Sequence, residues 1–176
     1  FASTDSGATW KAAGKLPDTF GTGVFAIDTV TPTTVYFGGP NSRGFARSTD
    51  GGATWATLPA TTAFPTAARA IAIGKDGTLM ASFYNGNVYR STDGGATFQT
   101  IPLSLGRSAG VVGLAFDPAD AKTVYAGLGY AVGGGGGLAK STDGGSTWKD
   151  QGGTFTVRTL DAAAGGAPVC AATEAN

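Results

Sequence analysis

Histidine is absent from the 176 residues, and cysteine occurs once, at Cys170. The first absence removes the commonest general base and the commonest metal ligand together. The second excludes an internal disulfide, and the setting Pro168-Val169-Cys170-Ala171-Ala172 reads as a buried structural thiol. Glutamate is nearly missing: of 12 acidic residues only Glu174 is one. Helices stitched by i,i+4 charge pairs are thereby disfavoured. Neither charge sign is in excess, with 12 Lys plus Arg against 12 Asp plus Glu. There is no basic stripe for nucleic acid or for an anionic membrane surface. No apolar run approaches the roughly 18 residues of a bilayer span. No signal-peptide pattern is visible.

Glycine, by contrast, is abundant: 30 residues, with 8 prolines besides. Average usage of glycine is roughly 7%, so this chain turns often. Hydrophobic residues make up 41%, enough for a packed core. Short strands joined by tight turns satisfy both observations.

The turns repeat. Ser3-Thr4-Asp5-Ser6-Gly7-Ala8-Thr9-Trp10 returns as Ser48-Thr49-Asp50-Gly51-Gly52-Ala53-Thr54-Trp55. It returns again as Ser91-Thr92-Asp93-Gly94-Gly95-Ala96-Thr97-Phe98, and as Ser141-Thr142-Asp143-Gly144-Gly145-Ser146-Thr147-Trp148. The spacings between the serines are 45, 43 and 50 residues, a period that fits one propeller blade or one helical solenoid unit. The turn-rich, β-branched content favours the propeller. Each octapeptide lies between two strand-like runs and is expected to be a hairpin turn. Its aspartate can accept from backbone N–H groups downstream. Its glycines supply the positive φ that such a loop needs. Its terminal Trp10, Trp55, Phe98 or Trp148 is expected to bury a large ring against neighbouring strands. Asp5, Asp50, Asp93 and Asp143 are therefore structural candidates. One carboxylate per turn is too few for a calcium loop, and no metal or cofactor is expected.

The pattern S-x-D-x-G-x-T-W resembles the Asp box, or bacterial neuraminidase repeat, of sialidases, sortilin-type receptors and xyloglucan-cleaving endoglucanases. The resemblance covers nearly the whole chain and implies an all-β propeller of four-stranded antiparallel blades. Residues 1–176 then form one domain, in blade pieces of approximately 1–20, 21–60, 61–104, 105–150 and 151–176. With strands A to D running from inner to outer, the three complete blades read 24–29, 34–38, 44–48 and 54–58; 68–73, 78–83, 87–91 and 97–101; and 111–116, 123–127, 137–141 and 147–149. The A strands are the most apolar and are expected to be buried on both faces. Runs at 155–160 and 169–173 read as a further A and B. About four blades are present. A ring of four closed by paired termini is one arrangement; part of a larger propeller is the expected one, with Phe1 falling inside a repeat and leaving room for an upstream segment.

Function is less constrained, because the box serves unrelated activities. Family analogy places ligands on the face carrying the B–C turns, where Phe37, Asn41, Tyr84, Asn85 and Tyr130 are candidate contacts for a sugar or protein. Packing between blades is the competing role for these aromatics. The glycine run at 133–137 reads as an extended loop. Arg47, Arg90 and Lys140 each precede an octapeptide, and their stems are expected to cover a blade face. Sialidase activity would need a three-arginine clamp and a glutamate base. The six arginines include no Arg-Ile-Pro sequence, and Glu174 sits near the C-terminus. Residues 106–127 are similar to a blade of the xyloglucan-cleaving family, with Asp117-Pro118 expected to form a turn. Asp28, Asp76 and Asp161 stand at comparable strand ends. The sequence thus points to a non-catalytic extracytoplasmic binding or scaffold propeller of bacterial, secreted or periplasmic type. The alternatives are a fragment of a glycoside hydrolase and a structural subunit of a larger assembly.

Overall fold

Short runs of apolar and β-branched residues, each stopped by glycine or an aspartate turn, can build little but strands. The computed structural model describes residues 1–17, 23–39, 45–58, 64, 67–83, 87–105, 110–129, 136–163 and 169–174. Three antiparallel sheets follow one another along the chain. The first holds β1 (Val24–Ile27), β2 (Val35–Gly38), β3 (Phe45–Ser48) and β4 (Ala56–Thr57). The second holds β5 (Ala68–Ile73), β6 (Leu79–Phe83), β7 (Val88–Ser91) and β8 (Gln99–Ile101). The third holds β9 (Gly110–Phe116), β10 (Val124–Gly129), β11 (Gly137–Ser141) and β12 (Lys149–Gly152). A hairpin of β13 (Thr156–Ala162) and β14 (Val169–Glu174) comes last. Within every sheet each strand pairs with its sequence neighbours, the up-and-down order expected from the repeat.

The hydrophobic core is divided into slabs between sheets. Tyr36, Phe45 and Leu58 of the first sheet pack on Leu79, Ala81 and Phe83 of the second. Rings dominate this slab: Phe45 stacks on Phe98 at 5.8 Å, and Phe64 on Phe83 at 4.5 Å. Met80, Val88 and Ile101 meet Val111, Leu114, Val124 and Trp148 in the next slab. Val157 and Leu160 of the hairpin close the third against Ala115. Gly127 permits this last approach, because a Cβ there would lie 2.5 Å from a methyl of Val157. Packing thus runs in chain order.

Three expectations need correction. The fourth strand of each sheet starts about two residues late, at Ala56, Gln99 and Lys149. The threonine ahead of it gives its N–H and its hydroxyl to the octapeptide aspartate and cannot join the ladder. Strand β1 is not buried on both faces: Phe25 and Ile27 are exposed, because no sheet among the described residues packs on that side. Cys170 is exposed rather than buried; it lies on β14, the edge strand of its hairpin.

Candidate functional site

The four octapeptides share one hydrogen-bond pattern. The serine hydroxyl donates to the aspartate Oδ1 at 2.7 Å in every copy. It also accepts the N–H of the residue four positions on, at 2.8 Å. The threonine N–H donates to the same Oδ1 at 2.8–2.9 Å, and its hydroxyl to Oδ2 at 2.5–2.6 Å. Each tryptophan indole N–H reaches the carbonyl of the glycine three before it. Both carboxylate oxygens are thus occupied by the chain's own donors. The threonine hydroxyl first, then the threonine N–H, hold Asp5, Asp50, Asp93 and Asp143 down at about 2, against an ordinary 3.8. Such carboxylates act as anchors for a turn; they are poor acids or bases at neutral pH.

The box aromatics behave unequally. Trp148 is 8% exposed, and Phe98 sits in the ring cluster of the first slab. Trp10, expected to be buried, is 63% exposed. The reason is visible in the later copies: an octapeptide packs on the preceding sheet, and no sheet among the described residues precedes Trp10. Contacts between successive sheets are also polar. Arg90 donates from Nε to the carbonyl of Gly144 at 2.8 Å, and the Tyr36 hydroxyl to that of Gly94 at 3.2 Å. Arg90 therefore does more than cover a face with its stem; it ties the second sheet to the third. Arg47 and Lys140, at the equivalent positions, lie over the rings of Tyr36 and Tyr125.

Of the proposed ligand-face residues, Phe37 is 2% exposed and packs edge-on against Phe25 with ring centroids 4.7 Å apart. Its faces are not open for stacking. Asn41, Tyr84, Asn85 and Tyr130, and most of the glycine run at 133–137, lie outside the described residues. Tyr36 and Phe83 are buried between sheets.

A different site emerges at the inner edge. Strands β1, β5, β9 and β13 converge on an open groove of about 220 Å³. Equivalent positions line it in each sheet: Ala70 and Ile71, Gly113 and Leu114, Thr159 and Leu160, with Val24 and Phe25 from β1. In three successive inner strands the register slips by one residue at the same place, leaving Arg69, Val112 and Arg158 as the extra residue. A β-bulge of this kind bends the strand and re-aims a side chain. All three extra residues line the groove, and among the described residues no aspartate or glutamate does.

The strand-end aspartates are engaged locally. Asp28 accepts the N–H groups of Val30 and Thr31, Asp76 that of Thr78, and Asp117 that of Ala119. Asp120 accepts from the N–H of Lys122 and the hydroxyl of Thr123, which hold its pKa below the ordinary value in that order of effect. These are Asx-type turns between the first and second strand of each sheet. Asp161, at an exposed position of β13, accepts the N–H of Ala162.

No family model matches the chain, and no curated protein is significantly similar to it. Solved structures are. An ancestral GH74 enzyme is 24% identical at a TM-score of 0.65, over 85% of this chain and 21% of that one. The GH74 enzyme of Niastella koreensis is 22% identical at 0.64, over 77% and 23%. YCF48 bound to D1 peptide is 16% identical at 0.64, over 85% and 46%. The chain spans less than half of each of these structures. At such identities the likeness establishes the fold: the all-β sheets of this chain are successive blades of a β-propeller.

Proposed function

We propose that this chain is part of a non-catalytic Asp-box propeller, working outside the cytoplasm as a binding or scaffold surface for a protein or glycan. One observation carries the reading. The groove where the inner strands converge carries Arg69, Arg158 and Thr159 among otherwise apolar side chains, and no carboxylate among the described residues. Glycoside hydrolysis of the usual kind requires two carboxyl groups roughly 5–9.5 Å apart. Here the strand-end aspartates each hold their own turn, and the octapeptide aspartates each hold theirs. A related fold solved with a peptide bound supports a protein ligand alongside a glycan. The Gly- and Ala-rich composition without disulfides is compatible with a bacterial secreted or periplasmic protein.

A second reading, a piece of a glycoside hydrolase whose reacting residues lie partly elsewhere, is favoured by the likeness to two GH74 enzymes. The test is to offer the intact protein xyloglucan and sialosides, then glycan and peptide arrays. Binding without new reducing ends is expected. Turnover that disappears when a single aspartate becomes asparagine would replace the first reading by the second.

A further inference from the structure

We propose that the groove between the inner strands is a carboxylate-binding site for an acidic segment of a peptide, its charge met by Arg69 and Arg158. This rests on the reading of the chain as a binding propeller and names what it binds. Three features of the groove lead to it. The first is repetition. The same one-residue slip recurs in β5, β9 and β13, 43 and 46 residues apart, and places Arg69, Val112 and Arg158 along one surface. An irregularity kept at one position of three strands re-aims those side chains together, and two of the three are guanidinium groups.

The second feature is charge. Among the described residues no aspartate or glutamate lines the groove; Asp161, three residues beyond Arg158, is not among its walls. Both arginines also make interactions within the chain. A guanidinium carries five N–H donors in a planar fork, so the assignment does not require either to be idle. That fork matches a carboxylate in two-point geometry.

The third feature is what the walls lack. Apart from the arginines, Thr159 is the one polar side chain that the described residues bring to it, beside Val24, Phe25, Ile71, Leu114 and Leu160. A sugar chain exposes a hydroxyl on nearly every ring carbon and needs several side-chain partners for them. A volume of about 220 Å³ is below the roughly 300–1,000 Å³ of pockets that enclose a whole small molecule. It accommodates an acidic side chain or chain end with an apolar neighbour, while the rest of the peptide lies along the inner strands.

The test uses fluorescence-labelled peptides alternating leucine and glutamate, their glutamine counterparts, and an oligouronate, each titrated into the intact protein. The acidic peptide should bind and weaken with added salt. Its glutamine counterpart should bind roughly tenfold more weakly or worse, and Arg69→Gln and Arg158→Gln should each weaken the acidic peptide by roughly tenfold. Lys149→Gln, on exposed β12, should change nothing. If an arginine variant melts early, the comparison of the two peptides on the unmodified protein decides. Equal affinity for both peptides, no peptide binding, or arginine-dependent capture of the oligouronate alone would overturn the proposal. Should a neutral peptide or glycan still bind, only this inference falls. Should nothing of any class bind, the reading of a binding propeller falls with it.

Discussion

A carboxylate whose two oxygens are both filled by its own chain is cheap to ionise and costly to protonate. Asp5, Asp50, Asp93 and Asp143 are held at about 2, below the ordinary 3.8, so folding favours their charged form. The stabilisation is complete above the unfolded value and is lost as pH falls through the folded one. Thermal melts should therefore show a midpoint that is level above about pH 4 and drops toward pH 2. Asp93→Asn should lower the midpoint at neutral pH and flatten that acid limb. The glycines beside these aspartates divide into two kinds. Gly51 has φ of 70° and open space where a Cβ would stand, so Gly51→Ala should cost only the backbone strain, about 1–2 kcal/mol in denaturant unfolding. Gly145 has φ of 84°, and its Cβ would fall 2.4 Å from the terminal methyl of fully buried Met80. Gly145→Ala should cost about 2–4 kcal/mol, strain plus overpacking.

Strands and turns were largely legible, and the reasons are local. An aspartate followed by glycines between alternating apolar runs can only be a tight turn, so the order and place of the strands follow from the octapeptides. The late start of β4, β8 and β12 was hidden because threonine has high strand propensity, while its actual role is to donate twice to a carboxylate. The bulges in β5, β9 and β13 were not legible at all. Arg69 and Arg158 read as ordinary members of apolar runs, and only the pairing register exposes them. Their repeat spacing was the available signal, and it was lost because Val112 stands between them without charge. Phe37 is the opposite case: it is conspicuous in sequence, and ring packing buries it. Arg90 marks a junction between two sheets. Arg90→Met keeps the stem and removes the donor to Gly144. It should cost about 1–2 kcal/mol, with faster amide exchange confined to the 141–148 turn.

At the scale of the molecule, stability resides in slabs between neighbouring blades, much as in a repeat array whose units support one another in sequence. Phe45 is fully buried and touches Phe64, Phe83 and Phe98. Phe45→Ala should remove about 3–5 kcal/mol from that slab. Hydrogen exchange should accelerate in β1 to β8 well before it does in β9 to β14, and uniform acceleration would show a single cooperative core instead. The inner edges of these blades meet at the groove, which leaves the arginines as its charged groups and the aspartates as fixtures of the frame. That division of labour is tested most directly by carboxyl-detected NMR titration of the intact protein, with and without calcium. The account predicts Asp5, Asp50, Asp93 and Asp143 titrating near 2 and unmoved by calcium. Titration near the ordinary 3.8, or a calcium-dependent shift of these four, would contradict it.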